Sequence, residues 1–437
     1  MLTNRYYQDQ AVEAGLNSNN GICVLPTGSG KSLVISGIVN RADEKTLVLQ
    51  PTKEILESNY EKIINSGFTD VAIFSASMGI KEIGKCTYAT IGSIINKLDL
   101  FAGTATLIID ECHLVNAKGG MYEKLIKALQ PKRLIGLTAT PYRLHTTRFG
   151  SDVRILSRTR PKLFDKIIYV AQTAELGKQG FLMPPKYIVS GVDTQDILKP
   201  NSTGAEFTEE SVESYLKQTD IVGRVVDAAK EAQVKHILVF MPSLAQSAAT
   251  VSALRQAGVS ADSVSGDSSK IEREEKLSAF RSGEIKAMIN VGVLTTGYDF
   301  PALDCVICAR PTKSLSLNYQ IIGRCVRPSQ NKQQPIVYDL VDNFSRFDDP
   351  MNYQLVESSP GLHAVLCKTG RLTNRIIGSG PECEDKVEFG KFKSAKLKDV
   401  PDSYLEWYLK DAKKSAVWHT FRFEQLRREI FNSNGVL

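Results

Sequence analysis

The segment LPTGSGKS, Leu25–Ser32, puts two glycines, a lysine and a hydroxyl between an apolar run, GICV, and a helical pattern. A glycine-rich turn that opens a helix aims successive backbone N–H groups at one point, where the positive end of the helix dipole favours an anion. Lys31 then reaches the β- and γ-phosphates of a nucleotide, and the Ser32 hydroxyl holds Mg2+. The first position of the pattern G-x-x-x-x-G-K-[ST] is Leu25 here, so the strand–loop–helix setting and the Lys-Ser pair carry the assignment. DECH, Asp110–His113, is the second charged feature and ends the apolar run TLIID. Two adjacent carboxylates therefore leave the end of a buried strand: Asp110 to hold Mg2+ through water, Glu111 to orient and deprotonate an attacking water. Alone, such a pair is usually just solvated; downstream of a phosphate loop it points to hydrolysis of ATP.

These groups need a rigid carrier, and the sequence supplies one. From Gly21 to about Tyr142 the strand-like runs GICVL, TLVLQ, VAIFS, ATLIID and RLIGLTA alternate with helical patterns at Ser32–Asn40, Glu54–Asn65 and Met121–Leu129. The rhythm recurs in HILVFM, IKAMIN, DCVICA and PIVYDL, with helices expected over Leu244–Gln256, Ser269–Arg281 and Leu315–Gly323. Alternation of this kind implies parallel sheets flanked by helices. The fold class expected is α/β with two tandem RecA-like lobes and a small C-terminal module, α-rich or α+β. The boundaries expected are lobe 1 over 1–192, a linker region over 193–220, lobe 2 over 221–345 and the module over 346–437.

Composition excludes several classes. With 42% apolar and 23% charged residues among 437, the chain reads as an ordinary globular protein rather than a disordered one. No stretch approaches the roughly 20 apolar residues that span a membrane, and the first ten residues lack a signal-peptide core. The reading is an intracellular, cytoplasmic protein without a membrane partner, with a phage gene among its sources. A net charge of +6 is too mild to argue for a polyanion by itself. The eight cysteines include the C-x-x-C of Cys305 and Cys308, but that pair lies in a buried apolar run with no second pair at zinc-ribbon spacing. Reduced core thiols are expected.

The ordered set of motifs resembles superfamily 2 helicases of the DEAD/DEAH-like type over roughly residues 1–342. Arg5-Tyr-Tyr-Gln8 looks like the Q motif, in which Gln8 reads the adenine edge and Arg5 packs by the ring. LPTGSGKS is similar to motif I, so the resemblance gives Pro26, Thr27, Gly28, Ser29, Gly30, Lys31 and Ser32 to ATP, with Ser32 and Asp110 on Mg2+. Pro51-Thr-Lys-Glu54 is similar to motif Ia, DECH to motif II, and Thr138-Ala-Thr-Pro141 to motif III, whose Thr138 and Thr140, with His113 in contact, would couple hydrolysis to nucleic-acid binding. In the second lobe, Val239–Ser243 resembles motif IV and Asn290–Asp299 motif V, which adds Gly297 and Asp299 to the ATP set. Gln320–Arg327 is similar to motif VI, where Gln320 couples and Arg324 and Arg327 act as fingers. A guanidinium on a mobile lobe stabilises the transferring phosphate only in one conformation, as a motor requires. The same two arginines on a helix face could also be ordinary salt-bridging residues.

The family likeness also implies a sequence-independent, salt-sensitive path for nucleic acid over Pro51, Thr52, Lys53, Thr90, Ser93, Ser243 and Thr295. Within the superfamily the phrases IIDECHLV, LIGLTATPYRL and VLTTGYDFPALD look like RadD-like and UvsW-like branch-migration helicases. The function this implies is an ATP-dependent DNA helicase or translocase on single-stranded, forked or junction DNA in replication, recombination or repair. An RNA helicase, the motor subunit of a restriction or defence complex, and a catalytically silent scaffold are the alternatives. Silence fits poorly with Lys31, Asp110, Glu111, Arg324 and Arg327 all present.

The C-terminal stretch holds both tryptophans, Trp407 and Trp418, and from Leu362 to Leu437 it has 14 Lys or Arg against 10 acids. Two readings stand: aromatics stacking on unpaired bases, or Tyr404, Leu405, Trp407, Tyr408 and Leu409 as a small core beside a solvated amphipathic helix over Lys413–Arg428. Docking of replication or recombination proteins is a third.

Overall fold

The computed structural model describes residues 4–116, 119–147, 150–190, 197–202, 204–295, 298–368, 370–372, 387, 390–411 and 416–431. The chain divides into two compact units: Met1–Arg143 with Arg154–Gln172, and Leu144–Val153 with Thr173–Leu437.

In chain order, the first 170 residues give α1 (Tyr6–Leu16), β1 (Asn20–Val24), α2 (Lys31–Ala42), β2 (Thr46–Gln50), α3 (Lys53–Asn65), β3 (Val71–Ser75), β4 (Ile80–Lys81), β5 (Cys86–Thr90), α4 (Ile91–Ile94), β6 (Thr106–Ile109), α5 (Met121–Leu129), β7 (Arg133–Thr138), β8 (Tyr142–Thr147), β9 (Gly150–Ile155) and β10 (Ile167–Val170). Eight strands form one sheet in the order β10-β1-β7-β6-β2-β5-β3-β4, parallel except for the antiparallel edge strand β4. Its inner strands are buried along their lengths, as continuous apolar runs demand when both faces are covered. Helices α1 and α2 cross closely because glycines face the partner helix. A Cβ at Gly15 would meet Ile38 at 2.8 Å, and one at Gly37 would meet Val12 at 2.7 Å.

The second unit continues with α6 (Thr173–Lys178), β11 (Lys186–Val189), α7 (Glu209–Gln218), α8 (Ile221–Glu231), β12 (Ile237–Phe240), α9 (Leu244–Gln256), β13 (Ala261–Ser265), α10 (Lys270–Ser282), β14 (Ala287–Val291), β15 (Cys305–Cys308), α11 (Leu315–Ile322), β16 (Ile336–Asp339) and α12 (Asn343–Phe347). Its six-stranded sheet is wholly parallel, in the order β11-β16-β15-β12-β14-β13. Then come an antiparallel sheet of β17 (Gln354–Ser359), β18 (Leu362–Cys367) and β19 (Gly370–Arg371), and the helices α13 (Asp402–Asp411) and α14 (Ala416–Phe431). Two parallel-sheet units and a mixed C-terminal segment are the architecture expected. No helix among the described residues is long and apolar enough to cross a membrane.

The boundary expected at residue 192 lies elsewhere. Lys186–Val189 pairs in register with Ile336–Asp339, so the chain has joined the second sheet well before that point. The region expected as a linker, 193–220, is only partly so. Residues 191–196 lie outside the described set, while α7 carries Tyr215 fully buried and is capped by Thr208, whose hydroxyl accepts from Ser211 N. The cut at 345 is likewise not a break. Tyr187 donates to Asp349 at 2.7 Å and Tyr319 stacks on Tyr353 at 6.1 Å, which ties the start of the C-terminal segment to the second sheet. Finally, α14 is not a solvated helix: it buries Phe421, Phe423, Glu424 and Arg427.

Candidate nucleotide site and strand-end loops

Apart from RYYQ, which opens α1, the motifs of the first unit leave the carboxyl ends of strands, so parallel pairing gathers them at one edge of the sheet. Val24 lies beside Thr138 and Ile109 beside Gly136, which brings the phosphate loop, DECH and Thr138–Thr140 side by side. Leu25 N donates to Thr138 O at 2.9 Å, so the loop begins tied to β7. Gly28 and Gly30 take positive φ, 88° and 86°, where a side chain would be strained. A Cβ at Gly30 would also sit 2.5 Å from Gln8 Nε2. Ser29 is buried, and its hydroxyl and N–H both turn back to Pro26 O. Its carbonyl accepts from Gln8 Nε2 and from the Tyr7 hydroxyl, each at 2.8 Å. Gln8 Oε1 accepts from Arg5 N, and an Arg5 guanidinium N–H donates to the Tyr7 hydroxyl. The RYYQ segment thus braces the loop, and Tyr7, which the motif reading passed over, is one of the two braces. Only its position beside Gln8 could have flagged it.

The carboxylates of DECH sit in unlike surroundings. Asp110 accepts from Asn59 Nδ2 at 3.3 Å and from Glu111 N at 2.9 Å. Burial first, and the neighbouring Glu111 second, raise its pKa to about 7 against the opposing pull of Lys31. Burial works to raise Glu111 as well, but Lys31 and His113 outweigh it and hold that carboxyl below its ordinary range. Lys31 Nζ lies 3.2 Å from Glu111 Oε1. His113 Nδ1 lies 3.3 Å from Glu111 Oε2 and 2.8 Å from Thr138 Oγ1, whose oxygen also accepts from Thr140 N. A chain of contacts therefore runs from the phosphate-loop lysine through Glu111 and His113 to the Thr-Ala-Thr turn. Glu111 itself has φ 46°, a left-handed conformation unusual for a side chain of its kind. Arg143 Nε donates to His113 O and holds the turn from below.

Five of the residues expected on a nucleic-acid path lie at the same edge. Lys53 Nζ donates to Ser77 O at 3.0 Å, and Ser93 Oγ accepts from Ala76 N at 2.9 Å while lying 2.8 Å from Thr90 Oγ1. Thr52 caps α3, accepting from Ile55 N, and Pro51 precedes it, half-buried. These hydroxyls already do structural work as caps and braces, and they remain only partly covered.

In the second unit Ser243 and Thr295 follow the neighbouring strands β12 and β14. Ser243 caps α9, and Asn290 Oδ1 shapes the loop after β14 by accepting from Val293 N and Leu294 N. Gly297 lies outside the described residues. Asp299 pairs with Arg327. Arg324 is buried and donates to Tyr298 O at 2.7 Å and to Gln320 O at 3.2 Å, while Gln320 is itself buried in α11. Lys332 was not anticipated. Its ammonium donates to Pro301 O at 2.8 Å, Cys325 O at 2.6 Å and Arg327 O at 2.8 Å, pinning both loops together. Burial pushes its pKa down to about 8. It stands in the polar run SQNKQQ, which carries no local sign of this role. Cys305 and Cys308 are buried free thiols of β15, as expected.

The donors fit a nucleoside triphosphate with Mg2+. Helix α2 opens without a side-chain cap, and two glycines keep the approach to its N-terminus clear. Beside it, a buried carboxyl pair with one member held near neutrality is an arrangement that a divalent cation relieves.

Comparison with known proteins agrees with this geometry. The family described as "Type III restriction enzyme, res subunit" matches residues 1–143, and "Helicase conserved C-terminal domain" matches residues 217–329. A "51.5 kDa protein" of a Lactococcus phage is 28% identical over 73% of this chain and 65% of its own. The "DNA 3'-5' helicase XPB" of Kineococcus radiotolerans is 26% identical over 79% of this chain and 61% of its own. Among solved structures, a fragment of a putative HsdR subunit of a type I restriction enzyme from Vibrio vulnificus YJ016 superposes with a TM-score of 0.61. It is 22% identical and covers 80% of this chain and 66% of that one. That likeness shows the fold. The chain spans about half to two thirds of the length of the curated relatives it matches.

Proposed function

The chain belongs to helicase superfamily 2, and we propose that it is a nucleic-acid-stimulated ATPase that drives a DNA motor. The observation that carries this reading is the unbroken contact chain Lys31–Glu111–His113–Thr138. A hydrolase with no moving partner has no use for a link from its phosphate lysine to a strand-end turn. A motor needs one, because occupancy of the phosphate loop must be felt elsewhere.

In this reading the N–H groups of Gly28–Ser32 and the Lys31 ammonium hold the triphosphate, braced by Arg5, Tyr7 and Gln8. Mg2+, held by Ser32 and Asp110, supplies neutralisation of the phosphate charge. Lys31 exchanges Glu111 for phosphate on binding, which releases the Glu111 carboxylate to orient water. Arg327 exchanges Asp299 for the transferring phosphate, and Arg324 keeps the loop of Tyr298 in place. Pro51–Lys53, Thr90, Ser93, Ser243 and Thr295 contact the backbone of a strand, without reading sequence.

DNA is the polymer favoured, because the relatives named above include a DNA helicase and residues 1–143 match the restriction-enzyme res-subunit family. We assign forked or junction DNA as the substrate, in replication, recombination or repair, on the RadD-like and UvsW-like phrases of the sequence. A restriction motor is the second reading, favoured by the match of residues 1–143. The test is ATP hydrolysis at fixed salt with single-stranded, duplex, forked and four-way-junction DNA and with RNA, each alone. The largest stimulation should come from forked or junction DNA. Stimulation by plain duplex alone favours the restriction motor, and stimulation by RNA alone overturns the DNA assignment.

A further inference from the structure

The aromatic residues of the C-terminal segment divide into two groups. Tyr404, Leu405, Tyr408 and Leu409 lie on one face of α13 and pack with Val387, Leu397, Val400 and Phe421. Trp407 falls between them in the helical period and points away, 56% exposed. Trp418, by contrast, is anchored, its indole N–H donating to Leu409 O at 3.1 Å. Among the exposed large apolar side chains of the described residues, only Ile271, at 74%, is more open to solvent.

Trp407 ends a row of rings. Its centroid is 5.4 Å from that of Tyr404, which in turn is 4.8 Å from Phe392, and Lys391 Nζ stands 5.7 Å above the Phe392 ring. Phe392 belongs to the turn GKFKSAKLK, residues 390–398, which has four lysines and no acid. Lys391, Lys393 and Lys398 are exposed. The turn is built rather than loose. Gly390 has φ 72° with the Tyr404 hydroxyl where a Cβ would sit, Ser394 N donates to Val387 O, and Arg428 donates to Leu397 O and Lys398 O. The nearby acids Asp399, Asp402 and Glu406 are all exposed, and Asp402 is paired with Arg428.

A docking site for a protein chain would surround its aromatic with aliphatic side chains. Here a single indole stands among charged residues, next to a lysine-only turn and in line with further rings. That is the composition of a stacking platform for unpaired bases, in which the ring takes a base face and lysines take the flanking phosphates. We propose that Trp407, with Lys391, Lys393 and Lys398, forms an accessory contact for single-stranded DNA. The proposal rests on the motor reading above, and locates on the C-terminal segment one place where the unpaired strand is held.

The chain has two tryptophans, so Trp418→Phe in the full chain leaves Trp407 as the sole indole reporter. Titration with oligo-dT should quench its fluorescence, since a stacked base is an efficient quencher, while polyglutamate at equal charge should not. Trp407→Ala should weaken oligo-dT binding about tenfold, and Trp407→Phe should keep most of the affinity. Replacing Lys391, Lys393 and Lys398 by Glu should weaken binding and flatten its salt dependence. Unchanged fluorescence at oligo-dT concentrations that saturate the stimulated ATPase would overturn the platform and leave the motor reading standing. Equal affinity for Trp407→Ala would overturn it too. If no DNA stimulates the unaltered chain's ATPase, the motor reading itself fails.

Discussion

The phosphate edge of the first sheet and the arginine loop of the second hold their cations in opposite ways. Lys31 and Glu111 pair at 3.2 Å with both side chains largely covered, inside a network fixed by strand register and by the Tyr7, Gln8 and Asn59 side chains. Arg327 pairs with Asp299 where both are partly exposed, at the end of loops tied together by one ammonium. A buried pair is costly to break unless a new partner arrives, whereas an exposed pair exchanges cheaply. The first site is therefore formed before its ligand, and the second is built to change partner.

Removing Lys31 should have the largest effect, because that ammonium has both a ground-state and a transition-state role. Lys31→Ala should lower ATP turnover by roughly a thousandfold or more, and also free Glu111 to titrate closer to its ordinary range. Turnover within tenfold of the unaltered chain would break the assignment of the phosphate loop. Next comes the ammonium under the arginine loop. Lys332→Met should leave ATP affinity unchanged and lower kcat between about tenfold and a hundredfold, as misplacement of a transition-state group does. An effect on affinity alone would make Lys332 a general packing residue.

Asp110→Asn separates stability from turnover. Because its folded pKa lies above the unfolded value, ionising Asp110 costs stability. That cost is absent below about pH 4, grows with rising pH and is complete above about 7. The variant should therefore melt about 2 °C or more higher than the unaltered chain at pH 8 and at the same temperature at pH 4, while losing hydrolysis. A gain that is equal at both pH values would show that the Asp110 charge is not the cause. The smallest effect expected is that of Thr138→Val, which removes the oxygen accepting from Thr140 N and facing His113. Basal hydrolysis should change by less than about threefold, and stimulation by DNA should fall further than that.

What the sequence made legible follows from where information is local. The phosphate loop, DECH and the strands that carry them were readable because each is a short motif in a strand–loop–helix frame. Lys332 was not, since its three acceptors come from segments that only tertiary packing assembles, and a lysine in SQNKQQ looks solvated. The place where the chain changes sheets was also hidden. KYIV reads equally well as the last strand of one lobe or the first of the next, and only its pairing with Ile336–Asp339 decides. Trp407 reads from the sequence equally as a stacking ring or as part of a small core, and the helical period turns it outward. The paired arginines of QIIGRCVR could have been surface salt-bridge residues. The structure gives Arg324 a buried carbonyl partner and Arg327 an exposed acid, which no spacing could foretell.

The most direct test of the motor reading is steady-state ATP hydrolysis by the unaltered chain and by Arg327→Ala, each with and without forked DNA at fixed salt. DNA should raise the rate of the unaltered chain at least about tenfold, while Arg327→Ala binds ATP normally and stays at its DNA-free rate, since the exchanged cation acts only in the transition state. Hydrolysis by Arg327→Ala at the stimulated rate of the unaltered chain would contradict the account.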